Sequence, residues 1–508
     1  MDLPGETRHR TPDTWLILTH AARCLIGLAI VLSLCSCAVG PDYKRPDVQD
    51  VTPADWRWKI AEPRDAVPKG EWWRVFEDPV LDELESGAVA ANQDLRAAVA
   101  RVDEARAAAR ITRSQFFPQI SLDPLVKRER TSGNLPTPIP FDVPVGHVNT
   151  FSVPFDLSYE VDLWGRVRRS FEAAQAKAQA NVSDYQNVLL TLTADVAVNY
   201  FLVRALDAEI GVLQKSIQSR EDTLRILNGR FQAGTIPEVD VAQARRELAS
   251  AKADLADTRR RRAETLHALA LLCGRPASDF QLSEGSAPTS PPDVPVGLPS
   301  SLLERRPDVA RAERTLAAQN AQIGVAKAAY FPVLRLTGQM GTLSADADKL
   351  FTDPSRVWSI SPSLSLPLFT GGRTAAEVKR AEAVYQESLA AYRQSVLAAF
   401  KEVEDSLAQI VLRNEESIAQ TEAFEAAARA AVLAKARYDA GTASYLEFLD
   451  ADRNSLVREQ RLAQLAGQRF VATVRLIKAL GGGWEPGPDP GPNVGAEGGG
   501  GEKSDGQE

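Results

Sequence analysis

The 508-residue chain has little of what catalysis and metal binding usually draw on: four histidines, four cysteines and two methionines. Two of the histidines and three of the cysteines lie within the first 37 residues, so only His147, His267 and Cys273 remain downstream. They sit in separate segments and cannot supply a spaced ligand set. There is no H-E-x-x-H, no G-x-S-x-G elbow and no phosphate-cradling glycine loop followed by Lys-Ser/Thr. The expectation is no enzyme, no cofactor and no metal. Basic excess is missing too: 59 Lys and Arg stand against 67 Asp and Glu, for a net charge of −8 and a pI near 5.4. That balance gives no support to nucleic-acid binding. The one dense basic run, Arg259 to Arg262, falls in a helical pattern and reads as a solvated helix face. Beyond residue 37 no continuous apolar run approaches 18 residues, so no transmembrane helix is expected.

What is present begins at the N-terminus. Arg23 precedes the apolar run "CLIGLAIVLSL", which is short for a span and suits a signal-peptide core over residues 1–36. The run ends in "LCSC", and Leu34, Cys35 and Ser36 before Cys37 resemble the lipobox of bacterial lipoproteins. The resemblance implies acylation of Cys37 and, with Ala38 following it, sorting to the outer membrane. Residues 37–87 then form a lipid-anchored, extended N-terminal segment. An acyl chain contributes about 0.8 kcal/mol per buried methylene, so a multiply acylated cysteine anchors durably. With Cys37 acylated, Cys273 has no partner for an intrachain disulfide.

The rest is a duplication. "NQDLRAAVARVDEARAAARITRSQFFPQISL" from Asn92 matches "RPDVARAERTLAAQNAQIGVAKAAYFPVLRL" from Arg306 at an offset of 214, with Phe117-Pro118 on Phe331-Pro332. "DLWGR" matches "LFTGGR", placing Gly165-Arg166 on Gly372-Arg373 at an offset of 207. "RFQAGT" from Arg230 matches "RYDAGT" from Arg437, again at 207. The seven-residue slip falls in the first copy's loop "TSGNLPTPIPFDVPVG", as insertions at loop tips do. Repeat 1 covers 88–272 and repeat 2 covers 307–480, joined by a Pro-rich equatorial connector over 273–306. A Gly/Pro-rich tail, 481–508, has a disordered composition.

Each repeat contains a period-two stretch. In "FSVPFDLSYEVDL" from Phe151 the apolar residues Phe151, Val153, Phe155, Leu157, Tyr159, Val161 and Leu163 share one face. "WSISPSLSLPL" from Trp358 repeats the pattern, and "QISLDPLVK" and "VLRLTGQM" are weaker versions. This predicts β-hairpins over 119–163 and 333–369, four strands with one greasy face. Their lengths suit membrane strands of roughly 9–11 residues. Four strands cannot close a barrel, since the smallest bacterial ones need about eight. An open edge in lipid would strand backbone donors and acceptors at several kcal/mol each. Strands crossing the membrane therefore demand several copies of the chain.

The helical stretches are unusually long. Residues 374–440 contain no Gly or Pro, and 166–229 only Gly211 before Gly229 at its end. At 1.5 Å per residue, each predicts a helix of about 100 Å. Helices over 238–272 and 443–480 follow the glycine turns, and shorter ones precede the strands. Each long helix can be lined by two short ones end to end, with hairpins at one end of a cylinder, glycine turns at the other and the connector at the waist.

Together "CAVGPDYKRP", "LLERRPDVARAE", the two F-P marks, "DLWGR" with "LFTGGR" and the two "AGT" turns resemble the TolC-like outer-membrane factor family. Within it they resemble the lipoprotein branch (NodT-like, OprM-like) that serves RND-type efflux systems, over nearly all of the chain from Cys37 to Leu480. The resemblance implies a mainly α fold of two tandem repeats with a membrane β-barrel portion. Three protomers would build a twelve-stranded barrel continued by a periplasmic α-helical tunnel. It implies a homotrimeric exit duct of a tripartite efflux system in the outer membrane, passing small molecules from an inner-membrane RND-type pump and a periplasmic membrane-fusion adaptor. The glycine turns, Gly234-Thr235 and Gly441-Thr442, would be adaptor-docking tips. Leu446, Asp450 and Arg453 match positions that constrict the periplasmic aperture, with Val239, Gln243 and Arg246 in the first repeat. Pairing of Asp450 with Arg453 between protomers is expected to hold that mouth shut. The alternatives are the outer-membrane component of an ABC-type (type I) secretion system, or a non-conducting scaffold lipoprotein, which would carry no current. The cargo is not legible.

Overall fold

The computed structural model describes residues 38–46, 70–130, 147–285, 290–292 and 306–482. The expected signal peptide, Cys37, half of the connector and all but the first two residues of the tail lie outside them. The described helices are α1 (Pro79–Ala91), α2 (Gln93–Ser114), α3 (Arg166–Gln232), α4 (Glu238–Leu272), α5 (Pro307–Ala328), α6 (Arg373–Asp439) and α7 (Tyr445–Ala479). The strands are β1 (Gln119–Leu122), β2 (Leu125–Arg130), β3 (His147–Val161), β4 (Val333–Ser344) and β5 (Arg356–Ser365).

The helix bounds repeat with the sequence offsets. α3 and α6 are each 67 residues, α4 and α7 each 35, and α2 and α5 each 22. A 67-residue helix runs about 100 Å. The helical run before the first hairpin starts at Pro79 rather than 88, capped by Asp78, whose carboxylate accepts from the amides of Val80 and Leu81. It breaks at Asn92, which leaves helical geometry (ψ 130°) and caps α2 by accepting from the Leu95 amide at 2.9 Å. The supposedly extended N-terminal segment thus carries a buried aromatic turn, Trp72–Phe76, and most of α1.

Two compact units cut across the duplication, each drawing on both repeats. One takes in 99–182 and 311–394, and the other 183–310 and 395–508. The long helices α3 and α6 each begin in the first unit and end in the second.

The first unit holds the sheet, in the order β1-β3-β4-β5 with β2 also on β3, all antiparallel. The first of the four expected strands is divided in two. Leu122 pairs with Phe155 and Leu125 with Ser152, so the register continues without a bulge across Asp123-Pro124. The interruption lies beside Pro154, where neither proline can donate to the ladder. Across β4, Pro154 faces Gly341, and a Cβ there would meet the Val153 carbonyl oxygen at 2.2 Å. The glycine lets the chains approach at this kink. β5 ends at Ser365, short of the expected 369.

Residues 38–46 are strapped onto the same unit. The Val39 amide donates to the Trp164 carbonyl at 2.9 Å, and Asn320 donates to the Pro41 carbonyl at 2.9 Å. Buried Arg169 donates to Asp42 at 2.6 Å. Gly40, at φ 105°, crosses Gly324 so closely that a Cβ would stand 2.5 Å from its Cα.

The second unit is cored by Trp72, Phe76, Tyr200, Phe201, Phe470 and their neighbours. Its part of α3 includes a window of mean hydropathy 1.4, apolar enough for a bilayer although no unbroken apolar run marks it in the sequence. Half of that window is buried inside the protein, as in a core helix. The Arg259–Arg262 run is only partly the solvated face expected of it. Arg260 pairs in the open with Asp257 and Glu264, but Arg262 reaches buried Asp207 and the Leu282 carbonyl. Arg306 is likewise buried and grips Asp308, Glu402 and the Ala479 carbonyl, fixing the end of the connector.

Glu85 on α1 is fully buried, and neither carboxylate oxygen has a hydrogen-bond partner among the described residues. Burial, reinforced by Asp82, holds its proton on well above the usual carboxylate range. The folded state then binds more protons than the unfolded one above the ordinary pKa, so stability falls as pH rises through that region. Glu85→Gln is expected to remove this slope: the melting difference between pH 8 and pH 5 shrinks, worth on the order of 1–2 kcal/mol, with no change near pH 4. Thermal melts across pH check it.

Candidate functional site

Both glycine turns end long helices for the same local reason. Gly234 and Gly441 have φ of 69° and 72°, the left-handed region that favours glycine. In the first turn the Thr235 amide donates to the Arg230 carbonyl at 3.0 Å, and in the second the Thr442 amide donates to that of Arg437 at 2.9 Å. Each threonine hydroxyl also donates to the same carbonyl, at 2.8 and 3.1 Å. The "AGT" triplet is therefore a complete cap: positive φ from the glycine, two donors from the threonine. Both turns are exposed, and an added Cβ at either glycine meets nothing within 4 Å.

Below the turns the two repeats pack together. Leu227 of α3, Val241 and Ala244 of α4, Ala434 of α6 and Tyr445, Phe448 and Leu449 of α7 form one buried cluster. Tyr438 stacks on Phe448 with ring centroids 6.2 Å apart, and the Arg230 guanidinium lies 5.6 Å from the Tyr438 centroid. The repeats differ at the start of the returning helix. Ser444 caps α7 by accepting from the Glu447 amide at 3.2 Å, whereas Pro237 offers α4 no side-chain cap.

The aperture candidates lie on the outward sides of these helices. Leu446 and Val239 are exposed, as are Asp450 and Arg246, while Gln243 is half-buried. Asp450 forms no ion pair within the chain among the described residues. Arg453 is already engaged, and not by Asp450. Its guanidinium takes both carboxylate oxygens of Glu247 on α4, with Nε at 2.8 Å from Oε2. Glu247 is buried and also accepts from Arg220 of α3 at 3.2 Å and from Arg246 at 3.0 Å. Arg220 in turn donates to the Glu247 backbone carbonyl at 2.9 Å and lies 3.5 Å from Asp452 of α7. One carboxylate thus joins three helices from both repeats. Within the chain Arg453 pairs with Glu247, whereas the expected Asp450–Arg453 pair is one between protomers.

The Arg453 hydrogen bond holds the Glu247 carboxyl below the usual carboxylate range against the opposing effect of burial. Asp452 is shifted the other way, because burial outweighs its contact with Arg220. Sequence reading missed Glu247, although a signal was there. Val241, Ala244 and Ala251 are buried on α4, and Glu247 interrupts that small apolar stripe. A lone carboxylate on a core-facing stripe needs a cationic partner. No group of three or more His, Cys, Asp and Glu able to hold a metal occurs among the described residues.

The family described as "Outer membrane efflux protein" matches residues 84–275 and 298–482. The solvent efflux pump outer membrane protein SrpC of Pseudomonas putida is 35% identical over 469 residues, covering 89% of this chain and 97% of its own. The cation efflux system protein CusC of Escherichia coli O6:H1 is 31% identical over 470 residues, covering 91% and 99%. The solved outer-membrane channel OprN superposes with a TM-score of 0.82 at 30% identity, over 89% of this chain and all of that one. The chain belongs to the outer membrane efflux protein family, with the tandem-repeat, mainly helical fold and β-portion of its channels and the role of an efflux exit duct in the outer membrane.

Proposed function

We propose that three copies of this chain close into one barrel and tunnel, the outer end of a tripartite pump whose other parts are a periplasmic adaptor and an inner-membrane RND-type transporter. The observation that carries this is the sheet. It has one apolar face, largely exposed on the strands flanking β3, and, among the described residues, two unpaired edges, β1–β2 and β5. Lipid contact suits that face, and lipid forbids those edges unless neighbouring copies pair with them. The polar face, with Asp156 bonded to Gln339 at 3.0 Å, lines the lumen.

The exposed turns at Gly234-Thr235 and Gly441-Thr442 form the periplasmic rim on which the adaptor's helical hairpins dock. Leu446, Asp450 and Arg453, with Val239, Gln243 and Arg246, surround the aperture, and the Glu247 clasp restrains it. Acylation at Cys37 adds the lipid anchor. Its support is the seating of the next residue: Ala38 packs against Gly165, at the elbow between β3 and α3, which brings the acyl chains to a strand end. The cargo consists of small molecules or ions selected upstream. SrpC and CusC carry solvent and cation in their names on the same fold. The duct performs no catalytic step.

Planar-bilayer recording of the detergent-purified protein, with cross-linking to count subunits, tests the proposal. Stepwise conductance from a three-subunit species is expected. A protein that stays monomeric and carries no current would reduce it to a periplasmic scaffold.

A further inference from the structure

The strand register defines an apolar band with a sharp upper edge. On the apolar face of β3 the series runs from Val161 to Phe151, flanked by Leu334 and Leu364 at the helix-bearing end and by Val126 at the far end. Ten residues at about 3.3 Å, tilted by roughly 40°, give a height of about 25 Å, the apolar height of a membrane barrel. The same face continues past Val126 on β2, but its next two residues are Arg128, opposite Asn149, and Arg130, opposite His147. Both arginines are exposed, and neither forms an ion pair among the described residues. Lys127 and Glu129 point to the opposite face and neutralise each other at 2.5 Å. A lipid-facing row therefore turns from apolar to doubly cationic at one level, in a chain whose net charge is −8.

We infer that Arg128 and Arg130 bind the phosphate of an outer-leaflet lipid headgroup. Residues two apart on a strand stand about 7 Å apart on one face, so two guanidinium forks can converge on one phosphate or bridge two. Arginine suits this role better than lysine because its planar fork matches phosphate oxygens in pairs. The level fits as well: the residues begin one strand pair beyond the apolar band, where headgroups lie, and on the end away from the helices. His147 adds a third donor beside Arg130. The inference rests on the membrane-channel reading above.

The test is retention of a bis-phosphorylated lipid A by the purified channel, read by native mass spectrometry. Wild type is compared with the Arg128→Gln/Arg130→Gln variant, and a dephosphorylated lipid A and inorganic phosphate are run alongside. At least a tenfold loss of retention is expected in the variant and, equally, for wild type with the dephosphorylated lipid. Equal retention of both lipids by wild type, or full retention by the variant, overturns the inference. Displacement by millimolar inorganic phosphate as effective as by the lipid overturns the assignment to lipid. Conductance of the same preparation separates the two levels. A conducting channel that ignores the phosphate sinks this inference alone, and a preparation without current sinks the channel reading with it.

Discussion

Replacing Gly341 with valine is expected to abolish the assembled channel, while Gly338→Val, three residues away on the same strand, leaves it standing. The two glycines differ in what a side chain would meet. At Gly341 a Cβ would come within 2.2 Å of the Val153 carbonyl oxygen and 2.7 Å of the Pro154 Cα. Both are backbone atoms of a paired strand and cannot swing aside. At Gly338 the nearest atoms, the Ser359 carbonyl oxygen and the Leu157 Cβ, lie at 3.7 and 3.8 Å, ordinary contact. The clash costs about 3 kcal/mol or more, the top of the range for overpacking. It falls on the central β3–β4 ladder, so the whole sheet is disturbed. Semi-native electrophoresis of membrane extracts reads the outcome: no oligomer for Gly341→Val, a wild-type band for Gly338→Val. An intact oligomer in both would show that the kink at Pro154 does not need the glycine.

Glu247→Ala is expected to open the periplasmic mouth more than Asp450→Ala does. Removing the Glu247 carboxylate releases Arg453 and leaves Arg220, whose side chain is only 10% exposed, with Asp452 as its one anionic partner beside the backbone carbonyl of residue 247. A buried charged group losing its partner costs about 1–3 kcal/mol. The loss through Arg453 is smaller, because that side chain is 40% exposed and screened by water. Among the described residues Asp450 has no in-chain ion pair to lose. Larger resting conductance and increased vancomycin susceptibility are the readouts, and an unchanged channel in Glu247→Ala would remove the clasp from the gating scheme. The pH dependence has a definite sign. A carboxyl held below its ordinary value contributes stability that is present above the unfolded pKa and is lost as pH falls through the folded one. The clasp therefore holds through neutral and mildly acid pH and slackens only below the ordinary carboxylate range near 4.5.

Much of the architecture was legible because it is local or repetitive. The offsets of 207 and 214 read from short motifs reappear as the bounds of α3 and α6, α4 and α7, and α2 and α5. The alternation from Phe151 marked a strand whose two faces the sheet keeps apart. The glycine turns were visible because positive φ is a property of one residue. Less legible were the break at Asp123-Pro124 and the start of α1 at Pro79. The first depends on a proline in the neighbouring strand, and the second on a cap whose partners lie in the next turn.

The amino-acid order alone determined the duplication, the lengths of the helices, the two capped turns and the open-edged sheet, because each follows from periodicity or from the conformational range of single residues. Only the tertiary structure decided that Arg453 answers to Glu247 within the chain, that Arg262 is buried against Asp207, and that Gly40 crosses Gly324. Each of these joins residues far apart in the chain. Which of several available charges or glycines meet is settled by the faces the packed helices turn toward one another, and composition leaves that choice open.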